Sequence, residues 1–501
     1  MMCSTSARLP IFVGVTGERR ALDLMVKAQP IGLRIQTCCR VSNIDNGRIR
    51  RRHAHTKRHI STTMNISEKE QEAVQDQKPV SRPLSCLSWP NLIRSYTVTA
   101  ISSIPILLQP SLTIMTWLAH SKSRWLNPDH NRLLHAMLKR TFYMQFCAGE
   151  LPAEVRGTIE SLKAMGYKGV MLGHAREVVM SKEDQAALDA SDSETQAERD
   201  SQDIREWKES SLNTVALTQE GDFVALKFTG AGRQSLQHLR KNIACTLELE
   251  SAIAEVCDAA RDKGVKLLFD AEQFAIQAGI ERWTLHFMRT YNRHGKAVVF
   301  GTYQAYMKRC PVVLADHLAT AQREGFVLGI KLVRGAYLGS DPRELFWDTI
   351  EETHRCYDGL ARCVIQRTYD DMLRPAKGAE ARFPDVDLVL ATHNAESVKI
   401  ARSIRDRQIQ SDQPRINMAY GQLMGMADHI SCDLIQEARA GEADGKTVDV
   451  PQAYKYLVWG TMGECMKYLL RRAHENKDAI SRTVEARKAL GREIATRMGI
   501  A

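Results

Sequence analysis

A (β/α)8 barrel is the fold class that the sequence predicts, and three observations predict it. Short apolar runs recur after Phe142, with helical stretches between most of them. Most of these runs are near-continuous and several are rich in Val and Ile, as in parallel strands buried on both faces. Polar residues gather just behind the runs, at the end of the strands where a barrel builds its site. In order, the runs are Gly169–Leu172, Val224–Lys227, Val265–Phe269, Ala297–Phe300, Val327–Val333, Leu388–Ala391, Ile416–Tyr420 and, more weakly, Tyr456–Trp459. Stretches such as Leu249–Lys263 and Glu396–Arg407 carry helical spacing between them. The barrel is therefore expected over residues 141–501.

Two polar stretches interrupt the rhythm. Ser181–Ser211 reads as a mobile connection with some helix, and Gln436–Asp449, with Gly441 and Gly445, reads as a loop before the last strand.

The segment ahead of the barrel has two parts. Residues 1–60 hold 12 Lys/Arg against 3 Asp/Glu, while the other 441 residues hold 57 against 56. The net charge of +10 is thus concentrated in an Arg-rich leader, and the near-neutral body argues against an extended phosphate-binding face. Such a leader fits a mitochondrial transit peptide better than a secretory signal, since it lacks a compact apolar run and a small-residue cleavage site. The His53, His55 and His59 cluster lies among Arg and Lys and reads as solvated tail. Twelve cysteines without a Cys-x-x-Cys pair suit a reducing compartment. Residues 61–140 are expected to form a helical extension. Its Ser95–Ser121 stretch has no formal charge but is interrupted by Pro105 and Pro110, which predicts two short helices. They either pack on the body or touch a membrane surface.

The strand ends supply the candidate chemistry. Lys227 ends the second run; Asp270, Glu272 and Gln273 follow the third; Tyr303 and Gln304 follow the fourth. Lys331 and Arg334 belong to the fifth, Thr392, His393 and Asn394 follow the sixth, and Gln422 follows the seventh. Lys331 and Arg334 are three apart and face opposite sides of a regular strand, unless a bend at Gly335 brings both to the mouth. Further on, Tyr468, Arg471, Arg472 and Glu475 share one helical face. Two adjacent arginines there can clamp a carboxylate or phosphate, or Arg471 and Glu475 can form an ordinary exposed ion pair. No Gly-x-Gly-x-x-Gly fingerprint, P-loop, His-Glu-x-x-His or Gly-x-Ser-x-Gly elbow is present, so any cofactor must be held by the barrel mouth.

Six words occur in order along the chain. They are Phe269–Gln273 (FDAEQ), Gly301–Tyr306 (GTYQAY), Lys331–Tyr337 (KLVRGAY), Ala391–Asn394 (ATHN), Tyr420–Met426 (YGQLMGM) and Arg471–Asn476 (RRAHEN). Over roughly residues 140–480 the chain resembles the proline dehydrogenase (proline oxidase) family, in a mitochondrial, single-function, fungal-like form without an aldehyde dehydrogenase segment. The resemblance implies a distorted (β/α)8 barrel that binds FAD non-covalently, oxidises L-proline to Δ1-pyrroline-5-carboxylate and passes electrons to ubiquinone, with peripheral inner-membrane contact as an option. It implies that Lys227, Arg471 and Arg472 hold the proline carboxylate. Asp270, Tyr456, Tyr468 and Glu475 would complete the substrate pocket, with Leu423 over the ring. Lys331 would lie near the reactive flavin nitrogen. Gln304, Arg334 and His393 would contact FAD, with Gly335, Ala336, Thr392 and Asn394 close by. In the related hydroxyproline enzyme the position of Tyr456 is small, so a tyrosine there favours proline. The paired arginines and Tyr456 argue against a folate-reductase type of flavin barrel, and the polar groups at the motifs argue against a scaffold that has lost catalysis. At His174 many bacterial relatives are acidic, and no role is carried over to it.

Overall fold

The computed structural model describes residues 82–500, apart from 122, 124, 177–193, 380–381, 445–448 and 476–479. The Arg-rich leader and its histidines lie outside the described residues. Eight parallel strands close in chain order into a barrel. They are β1 (Gly169–His174), β2 (Phe223–Leu226), β3 (Lys266–Phe269), β4 (Val299–Gln304), β5 (Leu328–Val333), β6 (Val386–Ala391), β7 (Asn417–Leu423) and β8 (Ala453–Trp459). Each coincides with one of the apolar runs, and the weakest of them, β8, is a full strand. It pairs with β1 from Gly169↔Tyr454 to His174↔Trp459 and so closes the ring.

Alternation along each strand divides the apolar residues into two cores. Val170, Leu172, Val224, Leu267, Phe269, Ile330, Leu332, Leu388 and Leu390 point outward into the layer beneath the helices. Met171, Phe223, Ala225, Leu268, Phe300, Val389, Ala419, Tyr454 and Tyr456 point into the lumen. The lumen core continues into the helix after β8, Met462–Glu475, through Met462, Cys465, Met466 and Tyr468, and into the N-terminal extension through Leu118, Leu138 and Tyr143. The helix Met462–Glu475 is fastened at its first turn to the chain ahead of β1. Asp129 and Glu150 accept from the Gly463 and Met462 N–H groups at 3.1 and 3.0 Å, and the Tyr143 hydroxyl donates to the Gly460 carbonyl at 2.8 Å. Acidic partners there complement the positive end of the helix.

The uncharged stretch forms two helices, Trp89–Ser103 and Pro105–His120, bent by 104° where they meet. Among the described residues no single helix is long and apolar enough to cross a membrane.

Both polar stretches need correction. Residues 177–193 lie outside the description, but from Glu194 to Leu217 the chain is a continuous barrel helix rather than a connection. Asp200, Ile204, Trp207 and Ser211 are buried at spacings of four, three and four, so the polar composition conceals an inward stripe. The Gln436–Asp449 stretch was expected to be loop, yet its first part belongs to helix Asp428–Asp444. The Glu, Ala and Arg residues around Gly441 are strong helix formers and outweigh one glycine.

Candidate active site

Strand alternation decides which polar groups meet. Lys227, Asp270, Gln304, Lys331, His393, Leu423 and Tyr456 all fall on the lumen-facing phase of their strands or one step beyond, and converge at the C-terminal mouth. At the centre, Lys331 Nζ lies 2.5 Å from Asp270 Oδ1, and the Tyr456 hydroxyl donates to Asp270 Oδ2 at 2.9 Å. Lys331 also sits over the Tyr456 ring, 4.9 Å from its centroid. Burial pushes the Asp270 carboxyl up, but Lys331, Lys227 and the hydrogen bonds from Lys331 and Tyr456 outweigh it and hold the group below its ordinary value. Burial raises the Tyr456 phenol, with Asp270 adding to the effect, so the phenol stays a donor.

A second cluster surrounds Tyr468. Lys227, Arg472 and Arg471 lie 5.4, 5.3 and 5.8 Å from its ring centroid, and Arg471 also lies 5.2 Å from the ring of Tyr337. The helix Met462–Glu475 therefore brings Tyr468, Arg471 and Arg472 together on one face, as the spacing requires. Glu475 ends this helix, and its side chain lies outside the described residues. Tyr468 is 3% exposed, and its hydroxyl has no hydrogen-bond partner among the described residues. A buried phenol beside a group of cations suits a ligand that brings an acceptor atom.

Arg334 takes the other phase. It continues the outward series Leu328, Ile330 and Leu332, so Lys331 is a lumen group and Arg334 a rim group. Its guanidinium donates to His354 Nδ1 at 3.0 Å, Thr392 Oγ1 at 2.8 Å and Ser397 Oγ at 2.8 Å, and stacks 4.2 Å from the Tyr357 ring. The neighbouring Gly335 has φ +145°, and a Cβ there would run into the Tyr306 ring. Only glycine allows the backbone to pass so close, with Ala336 beside it. Asn394 caps helix Ala395–Gln410 by accepting from the Ser397 N–H at 3.1 Å. His393 Nε2 accepts from the Leu423 N–H at 3.0 Å, which leaves its proton on Nδ1 as a donor. Gln304 donates to the Glu272 carbonyl at 3.4 Å. Leu423 lies opposite Tyr456 in the β7–β8 register.

His174 has the outward phase, away from the lumen. Its ring meets Trp459 edge-on at 4.9 Å, and its Nδ1 accepts from the Arg176 N–H at 3.3 Å. Sequence reasoning missed Tyr337, His354, Ser397 and Tyr357. Tyr337 closes the word Lys331–Tyr337, so its place beyond the strand end was the available signal; nothing local marks the other three.

The family model described as proline dehydrogenase matches residues 155–485. The probable mitochondrial proline dehydrogenase of Schizosaccharomyces pombe is 29% identical over 403 residues, covering 71% of this chain and 79% of that protein. The hydroxyproline dehydrogenase of Mus musculus is 27% identical over 441 residues, covering 81% of this chain and 91% of that protein. In fold, the chain is similar to the crystal structure of proline utilization A from Bdellovibrio bacteriovorus, with a TM-score of 0.52 at 14% identity, over 85% of this chain and 42% of that one. With the family match spanning more than half of its length, over the barrel that carries this cluster, the chain belongs to the proline dehydrogenase family of oxidoreductases.

Proposed function

We propose that this mitochondrial enzyme oxidises L-proline to Δ1-pyrroline-5-carboxylate, the first step of proline catabolism, with FAD held non-covalently at the barrel mouth and ubiquinone as the electron acceptor. The observation that carries the reading is the buried Tyr468 hydroxyl, without a hydrogen-bond partner among the described residues, beside Lys227, Arg471 and Arg472.

The cations named at the mouth outnumber the carboxylates, which suits an amino-acid carboxylate and an anionic cofactor. Arg471, Arg472 and Lys227 bind the substrate carboxylate and fix the ring. Asp270, Tyr456, Tyr468 and Glu475 complete the pocket, and Leu423 covers the ring. Lys331, Gln304, Arg334, Gly335, Ala336, Thr392, His393 and Asn394 are the residues that would hold FAD. Their donors, and a glycine at the tightest backbone approach, fit such a group. FAD, when bound, supplies two-electron acceptance. The chain supplies position, charge and exclusion of water. Tyr456 fills the space that a ring hydroxyl would need, and this favours proline over hydroxyproline.

Residues 1–60 act as the import leader. Ile106, Ile114 and Trp117 of helix Pro105–His120 are exposed, which gives the extension an apolar face for peripheral contact with the inner membrane, where a quinone dissolves. Fractionation of broken mitochondria at physiological ionic strength tests the contact: protein wholly in the soluble fraction would overturn it, whereas membrane-bound protein that alkaline carbonate then releases fits peripheral contact.

The visible spectrum of purified protein, before and after anaerobic L-proline, tests the main reading. Flavin bands should bleach with proline and little with hydroxyproline. Bands indifferent to proline, or a colourless protein that FAD does not reconstitute, would overturn it.

A further inference from the structure

The turn that follows β5, residues 335–341, runs along the edge of the barrel mouth. Leu338, Gly339 and Ser340 at its crest are exposed, whereas Tyr337 and Asp341 at its feet are buried. The turn closes on the Tyr337 carbonyl, which accepts from the Ser340 and Asp341 N–H groups at 3.1 and 3.0 Å and from the Ser340 hydroxyl at 3.3 Å. Each foot reaches a different element. The Tyr337 N–H donates to the Tyr306 hydroxyl at 3.3 Å, and the Tyr337 ring is the one that lies 5.2 Å from Arg471. The Asp341 carboxylate accepts from the Phe274 N–H through both oxygens, at 3.0 and 3.1 Å. Phe274 opens helix Phe274–Tyr291, which follows directly on the word Phe269–Gln273.

This carboxylate serves two elements at once. For the helix, it satisfies an N–H group that has no intrahelical partner and complements the positive end. A side chain at the helix start commonly does that work. Here the acceptor comes from 67 residues further along the chain, so the same bond ties an exposed turn to the barrel scaffold. A charge-assisted bond is well suited to hold a segment whose crest makes little contact of its own. Arg471 benefits from such support, because a long guanidinium side chain has many rotamers and an aromatic face beside it narrows the choice.

From this arrangement we infer that Asp341 is a positioning residue for the carboxylate clamp. It pins the turn to helix Phe274–Tyr291, the pinned turn holds the Tyr337 ring, and the ring holds the Arg471 guanidinium. The inference rests on the proposal that Arg471 grips the substrate carboxylate.

The test is steady-state kinetics on full-length holoenzyme, with flavin quantified on each sample. Asp341→Ala should raise the apparent KM for L-proline about 3- to 10-fold, the range that a lost guanidinium–aromatic contact implies, and leave kcat and flavin content little changed. Asp341→Asn keeps an oxygen for the Phe274 N–H and should restore the KM, which a merely destabilised fold would not do. Phe274→Pro removes the donor instead, at a helix position that tolerates proline, and should reproduce the rise even if Asp341→Ala fails to fold. In a Tyr337→Leu background, Asp341→Ala should add little, because its effect passes through that ring. An unchanged KM in Asp341→Ala and Phe274→Pro, no recovery in Asp341→Asn, or an equal rise in both backgrounds would overturn the inference while leaving the proposed function standing. Wild-type flavin that L-proline does not bleach would overturn both together.

Discussion

Lys331 and Asp270 form an ion pair, 2.5 Å apart, inside the mouth of the barrel, with both side chains 8% exposed. Both are largely withdrawn from solvent there, and the Tyr456 hydroxyl supplies the second bond to the carboxylate. Removing one charge strands the other. Asp270→Ala should therefore destabilise the fold by about 3–5 kcal/mol. The double variant Asp270→Ala with Lys331→Met should recover much of that loss, because no charge is then left buried alone. Urea unfolding of the two single variants and the double variant measures the coupling, and simple additivity would contradict the pairing.

Arg472 tests the substrate clamp. Arg472→Met removes one charge-assisted contact, worth roughly 1.5–3 kcal/mol. The apparent KM for L-proline should rise about 10- to 100-fold, a range that follows from this energy. Flavin content should change little. Steady-state kinetics with flavin quantified on the same sample separates the two, and loss of flavin with an unchanged KM would reassign Arg472 to the cofactor.

Tyr456 has two separable properties, its bulk and its hydroxyl. Tyr456→Ser should open the pocket and shift the hydroxyproline-to-proline ratio of kcat/KM upward by about tenfold or more, within the range set by one pocket-sized steric change. Tyr456→Phe keeps the bulk and loses the bond to Asp270, so it should lower activity while keeping the preference. Competition assays with both substrates decide the matter. If the two variants discriminate alike, the ring is not the selectivity element.

His317 predicts a pH effect on stability. Its Nδ1 lies 2.8 Å from the Tyr303 hydroxyl, and burial, helped by Arg309 and Arg289, pushes its pKa down to about 4. An unfolded histidine titrates near pH 6.5. Between these values the unfolded chain binds a proton that the folded chain refuses, so stability falls as pH falls through this window. The loss should be on the order of 2 kcal/mol once partial exposure is allowed for. His317→Gln should flatten unfolding curves measured between pH 7 and pH 4, and an unchanged slope would contradict the assignment.

Much of this architecture can be read from the chain, and the places where reading stops have physical causes. The Val- and Ile-rich runs of β5 and β6 announce themselves because both faces are buried. The β8 segment, Ala453–Trp459, is weaker because Lys455 interrupts it, and that lysine is buried by pairing with Asp428 at 2.8 Å and donating to the Met426 carbonyl and the Ser431 hydroxyl at 3.0 and 2.9 Å. No local pattern tells that such a partner waits elsewhere. Alternation could have separated Lys331 from Arg334, since counting by twos from Ile330 puts Arg334 on the outer phase. The bend at Gly335 instead suggested one shared mouth. The partners of Arg334 arrive from His354, Thr392 and Ser397, and their meeting depends on the β5–β6 register rather than on any motif.

The order of assembly follows from how the ring closes. Asp270 lies midway along the chain, while Tyr456, Tyr468, Arg471 and Arg472 come from its last part, and β8 must find β1 from nearly 300 residues away in sequence before the ring closes. Contacts so distant in sequence slow folding, because loop-closure entropy must be met before they reward it. A growing or translocating polypeptide thus carries an incomplete pocket until its final strand docks. Completion of the proposed pocket becomes a report on finished folding, and a chain cut short before Tyr456 would lack the proposed carboxylate clamp.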